Sequence, residues 1–130
     1  MKTLDLETRS LDPDNPEYAL QPWRLRQGKS EITMVAVGDA DRATCQLDKT
    51  PEAWTETIAK HPAYFGWNVM FDVAYLYASG YDVRNHTWLD AMLIVKWVEN
   101  CPDPRIGYSL AAAAKRWLGD WLLIFSKATI

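Results

Sequence analysis

The sequence predicts one mixed α/β domain, and three observations predict it. Three β-rich runs follow one another without an intervening helix, which suggests an antiparallel meander. Short apolar strands then alternate with capped helical runs, the pattern of an α/β chain. The 130 residues, 48% hydrophobic and 24% charged, suit a single core that buries roughly two-thirds of the unfolded surface.

Each element has its own signal. In Thr3 to Glu7, Leu4 and Leu6 point to one face and Asp5 and Glu7 to the other, so this reads as a half-buried strand. The stretch Ser10-Leu11-Asp12-Pro13-Asp14-Asn15-Pro16 is turn-rich and leads into a loop around Pro22 and Trp23. Glu31 to Gly38 is β-rich, and Ala43 to Leu47 offers a third strand. Thr50 then caps a helix with Pro51 at its first position, running to about Lys60 and stopped by His61-Pro62. Tyr64 to Trp67 is a short apolar strand, followed by a helix from Asn68 to Ser79 ending at Gly80. Trp88-Leu89 precedes Asp90, an N-cap for a helix from Ala91 to Asn100. Ser109 caps a last helix, Leu110 to Leu118, ended by Gly119. The order is β-β-β-α-β-α-(β)-α-α.

Composition excludes several classes. The net charge of −3 argues against a protein that holds nucleic acid by a strong basic field alone. It leaves room for a nuclease, whose metal-binding carboxylates push the count negative. Cys45 and Cys101 lack metal-ligand spacing and read as reduced thiols, not a disulfide framework or a zinc ribbon. No apolar run reaches about 18 residues and the N-terminus has no signal-peptide core, so a cytoplasmic location without a membrane partner is expected. No Gly-x-Gly-x-x-Gly run offers a phosphate cradle. Seven Trp imply a packed core or a stacking surface.

Two groups of residues could carry chemistry. Asp5 and Glu7 share a strand face; such a pair is either solvated or, on a central strand, in need of a cation to relieve its repulsion. Oxygen-only ligands suit Mg²⁺ or Mn²⁺. Asn68 and Asp72 lie one turn apart on a helix that is apolar nearly all round. A buried Asp there is paired with an Arg, sits at the helix edge, or binds metal. His61 and His86 read as surface or helix-end histidines, and Asp90 as a plain N-cap.

Leu4-Asp5-Leu6-Glu7-Thr8 through Leu11 resembles the first motif of DEDD-type 3′–5′ exonucleases. Gly66-Trp67-Asn68-Val69-Met70-Phe71-Asp72 is similar to their second motif, an Asn three residues before an aromatic-Asp pair. Trp88-Leu89-Asp90-Ala91-Met92-Leu93 resembles the following Asp-Thr-Met-Leu segment, with Ala91 in place of Thr. Ser109-Leu110 through Arg116-Trp117-Leu118-Gly119 is similar to the Ser-Leu…Trp-Leu helix after it. The resemblance is nearest to the proofreading domain of family A DNA polymerases, particularly phage ones. It spans an exonuclease-like domain over residues 1–120, followed by an atypical apolar tail, residues 121–130.

That resemblance implies an RNase H-like fold: a three-stranded antiparallel meander continued by parallel strands and flanked by helices. It implies Asp5, Glu7 and Asp72 as catalytic ligands of two divalent metals, Mg²⁺ or Mn²⁺, hydrolysing nucleotides from single-stranded DNA 3′ ends. Thr8 and Asn68 match positions that contact the terminal nucleotide, and Leu11 matches a wedge beside its base; Leu11 reads equally as a core or turn residue. The third motif, Tyr-x-x-x-Asp or His-x-x-x-x-Asp, does not follow Trp117, and Asp120 stands too early to serve. The expectation is therefore a truncated or split proofreading domain, weak or inactive alone, whose fourth ligand is missing or comes from a polymerase fragment encoded past the stop codon. The alternative is a catalytically dead nucleic-acid- or protein-binding module that kept the fold.

Overall fold

The computed structural model describes residues 1–46, 51–100, 103 and 105–119. The expectations for Leu47, Thr50, Cys101, Asp120 and the tail 121–130 lie outside the described residues. The chain divides into two compact units, residues 1–91 and 92–130.

The first unit is an α/β layer built on a five-stranded sheet, in the order β3-β2-β1-β4-β5. Strand β1 spans Lys2–Ser10, β2 Ser30–Gly38, β3 Ala43–Gln46, β4 Ala63–Gly66 and β5 Thr87–Asp90. The pairs β1–β2 and β2–β3 are antiparallel, whereas β1–β4 and β4–β5 are parallel. The acidic strand is thus central, as the alternation of Leu4 and Leu6 with Asp5 and Glu7 requires. Strand β5, marked in the sequence by little more than Trp88 and Leu89, is a full member of the sheet.

Leu4, Leu6, Val35 and Val37 form the buried face. It is covered by helix α2 (Pro51–Ala59), through Trp54 and Ile58, and by helix α3 (Val69–Ala78), through Tyr75 and Leu76. The long connection from β1 to β2 holds a 3₁₀ turn, Pro16–Leu20, and a one-turn helix α1, Trp23–Arg26. Its turn is pinned from two sides. Thr8 donates its hydroxyl to the Ala19 carbonyl (2.6 Å), and the Tyr75 hydroxyl donates to the same oxygen (2.8 Å).

Two local devices shape the sheet. The register of β1 against β2 slips between Glu7, opposite Met34, and Thr8, opposite Ile32. Thr33 is the extra residue, and it donates its hydroxyl to the Glu7 carbonyl (3.1 Å). Such a bulge bends the strand and re-aims the side chains beside it. At the end of β4, a Cβ on Gly66 would lie 2.8 Å from the Leu4 carbonyl oxygen. Only glycine lets the two backbones come this close.

The second unit carries α4 (Ala91–Glu99) and α5 (Leu110–Leu118). Ser109 caps α5 by accepting the Ala112 N–H (3.2 Å), and Gly119 closes it at φ 59, both as the sequence predicts. Glu99 accepts two bonds from the Arg116 guanidinium (3.0 and 2.9 Å) and one from the Trp117 indole (2.7 Å). These bonds hold its carboxyl below the usual range. No helix among the described residues is long and apolar enough to cross a membrane.

Candidate acidic site at the end of the parallel strands

Strands β1, β4 and β5 run parallel, so their C-terminal ends lie along one edge of the sheet. In open α/β sheets this is the edge where ligands bind. Each candidate residue takes its position from that arrangement.

Asp5 and Glu7 are exposed on β1, opposite Ala36 and Met34 of β2. Neither cross-strand neighbour carries a charge. Among the described residues neither carboxylate has a hydrogen-bond or ion-pair partner. Two like charges on one strand face without a cation repel each other.

Asp72 is only 3% exposed. Pairing of β1 with β4 ends at Thr3 opposite Phe65, so the later amides of β1 on that side need another acceptor. Asp72 supplies it: its Oδ1 accepts the Leu6 N–H at 3.1 Å. The carboxylate therefore reaches β1 between Asp5 and Glu7. Burial pushes its pKa up to about 7, against the partial relief of the Leu6 bond, and the charges of Asp5 and Asp90 push in the same upward direction. No Arg pairs with Asp72 in the described structure; the salt-bridge reading of this residue gives way to a carboxyl held by a backbone amide.

Asn68 sits at the junction of β4 and α3 in the left-handed conformation, φ 56 and ψ 43. A non-glycine residue there is uncommon, and Asn is among the few that tolerate it. Its backbone N–H donates to Asp90 Oδ1 at 3.1 Å. Its side chain makes no capping bond to α3 and is exposed. Asp90, which the sequence suggests as a plain N-cap, thus ties β5 to the start of α3 and adds charge beside Asp72. A signal for this existed: Asp90 ends a strand next to Gly66, its register partner.

Thr8 is half-buried, with its hydroxyl proton committed to Ala19. Leu11 is 48% exposed at the start of the connection; the core reading of Leu11 is excluded, and the turn and wedge readings remain. His86 follows a 3₁₀ turn, Val83–Asn85, the helix-end position that the sequence suggests. It is half-buried between Tyr81 and Trp88, with ring centroids 5.7 and 5.4 Å away. Its Nδ1 lies 2.7 Å from the His61 carbonyl and its Nε2 2.6 Å from the Tyr81 hydroxyl. A run of aromatic residues on both sides of β5 builds this packing, and no local sequence pattern encodes it.

The structure therefore places Asp5 and Asp90 within electrostatic reach of Asp72, with Glu7 next to Asp5 on the same strand face. Among the described residues, no group of three His, Cys, Asp or Glu side chains stands close enough to hold a metal ion as placed. The donor chemistry, carboxylate oxygens alone, suits a hard cation such as Mg²⁺ or Mn²⁺ and no soft one. Comparison of the sequence with protein-family models and with curated proteins finds no match.

Proposed function

We propose that this chain is a 3′–5′ exonuclease-like domain of RNase H-like fold, similar to the proofreading domains of family A DNA polymerases. Its substrate is the 3′ end of single-stranded DNA. One observation carries the reading: Asp5 and Glu7, two carboxylates without a partner among the described residues, stand on the central strand beside the buried Asp72. Like charges so placed cost stability unless a cation joins them. The meander continued by parallel strands agrees with the fold that the motifs imply.

In this reading Asp5, Glu7 and Asp72 hold Mg²⁺ or Mn²⁺, and Asn68, Thr8 and Leu11 position the terminal nucleotide. Bound divalent cations supply an activated water and charge stabilisation of the leaving 3′ oxygen. These 130 residues contain no third-motif carboxylate and no side chain to orient the water. General-base and positioning contributions are worth about 10²–10⁴-fold each, so turnover by this chain alone is slow.

The test is digestion of a 5′-labelled single-stranded oligonucleotide with Mg²⁺ or Mn²⁺, beside calorimetric titration with Mn²⁺. Slow shortening from the 3′ end and Mn²⁺ binding are expected, both lost in Asp5→Ala. Mn²⁺ binding unchanged in Asp5→Ala removes these carboxylates from the metal site. A second reading, a binding module without chemistry, draws support from the spacing of the acids, which form no ready cage. Oligonucleotide binding with no metal-dependent digestion selects it.

A further inference from the structure

We propose that the connection between β1 and β2 is a holding surface for single-stranded nucleic acid, gripping the strand upstream of the end that the acidic site addresses. This inference rests on the nuclease reading for the identity of its ligand. It concerns different residues and a metal-independent property.

The argument begins with charge. In the described structure Arg9 pairs with Glu31, Arg84 with Asp82, Arg105 with Asp103 and Arg116 with Glu99. Residues 23–29 break this pattern. Arg24 donates to the neutral amide oxygens of Gln21 (3.0 Å) and Gln27 (2.8 Å), and its guanidinium lies 4.2 Å from the centre of the Tyr18 ring. Lys29 stands over the same ring at 5.5 Å. Arg26 reaches the carbonyls of Ala78 (3.3 Å) and Tyr77 (3.4 Å) and lies 5.1 Å from the Tyr77 ring centre. None of the three has a carboxylate partner among the described residues. In an acidic chain, three cations are held in place by rings and amides and keep their charge for an outside anion.

Aromatic surface accompanies the charge. Trp23 is 57% and Tyr77 61% exposed. Arg26 and Tyr77 line an open groove of about 460 Å³ together with the Asp82–Arg84 ion pair. Cations interleaved with exposed rings are what an unpaired strand needs, because phosphates meet the cations and bases stack on the rings whatever their sequence.

Position completes the case. The Ala19 carbonyl, bonded to both Thr8 and Tyr75, fixes this connection against β1 and α3. From Asp72 to Ala78 the helix rises about 9 Å, so the Arg26 groove lies within the reach of a strand whose end is at Asp72.

The test measures fluorescence anisotropy of 5′-fluorescein-labelled oligo(dT), about 12 nucleotides long, with the full chain in EDTA, where no digestion occurs. Salt-dependent binding is expected. The Arg24→Gln, Arg26→Gln, Lys29→Gln triple variant should lose at least tenfold in affinity, with the slope of log K against log salt shallower by roughly 2. Trp23→Ala, at a side chain that is mostly exposed, should lose about fivefold or more. Arg105→Gln, at an exposed cation paired with Asp103, should bind as the parent does. Absence of binding by the parent chain, equal binding by the triple and Trp23 variants in their folded state, or equal competition by poly-glutamate and oligo(dT) would overturn the proposal. Binding without later digestion in Mn²⁺ leaves this surface standing and removes the nuclease reading. Digestion with no change of KM in the triple variant does the reverse.

Discussion

The two ends of β4 and β5 bury polar groups in opposite ways. At the N-terminal end, Tyr64 is fully buried and donates its hydroxyl to the Ile58 carbonyl (2.7 Å). His86 bridges the His61 carbonyl and Tyr81. A carbonyl can only accept, so His86 carries its proton on Nδ1, and Nε2 accepts the Tyr81 O–H. Trp88 stacks on Tyr64 at 5.6 Å and donates its indole N–H to the Val83 carbonyl (2.8 Å). Every polar atom meets a neutral complement. At the C-terminal end, Asp72 is buried against one amide with two further carboxylates nearby, and Asn68 is held in a strained backbone conformation. One end is satisfied and stabilises; the other keeps a buried carboxyl, its pKa raised, beside two more. Unrelieved cost of this kind gathers where proteins bind and react.

The comparison can be broken most directly at Tyr64. Tyr64→Ala removes a ring at the centre of the satisfied end and should cost about 3–5 kcal/mol in urea unfolding. A loss below about 1 kcal/mol would mean that this end does not carry the stability assigned to it. The opposite end answers to pH. Asp72 holds its proton to about pH 7, against an ordinary value of 3.8. Between those values the native state binds more protons than the unfolded state, so stability falls as pH rises from about 4 to 7 and is level above that. The steepest slope is about 1.4 kcal/mol per pH unit. Asp72→Asn should flatten this profile in metal-free buffer and raise the melting temperature at pH 8 but not at pH 4. Mn²⁺ should stabilise the parent at pH 8 and leave the variant unchanged. A parent profile already flat from pH 4 to 7 would place no strain at Asp72. The smallest expected effect lies at the last residue of β4. Gly66→Ala forces the β4 backbone from Leu4 and should cost about 1–3 kcal/mol, with hydrogen exchange quickened in β4 and β5 more than in β2.

Much of the frame was legible because its signals are local. The alternation from Leu4 to Glu7, Pro51 at the first turn of α2, Ser109 and Gly119 around α5 each act within a few residues, and each element is found where its signal stands. The acidic residues were legible as candidates for the same reason. Their mutual arrangement was not. The bond from Leu6 to Asp72 joins residues far apart in sequence, and it depends on where β4 stops pairing with β1. The bulge at Thr33 depends on register, which no single strand encodes. The left-handed turn at Asn68 follows from Asp90 accepting its N–H, again across strands. The packing around His86 was hidden on the same ground, since Tyr64, Tyr81 and Trp88 surround it through the tertiary fold.

The Leu6–Asp72 bond also orders events in time. Strands β1, β2 and β3 pair with near neighbours in sequence and can zip together as soon as they are made, whereas the carboxyl of Asp72 must close a loop of 66 residues before it contributes. Contacts of such separation carry a large loop-closure cost and form late. Substitution at Asp72 should then change the unfolding rate of the chain and leave its refolding rate nearly untouched. During synthesis the Asp5–Glu7 face is complete as a strand long before Asp72 reaches it.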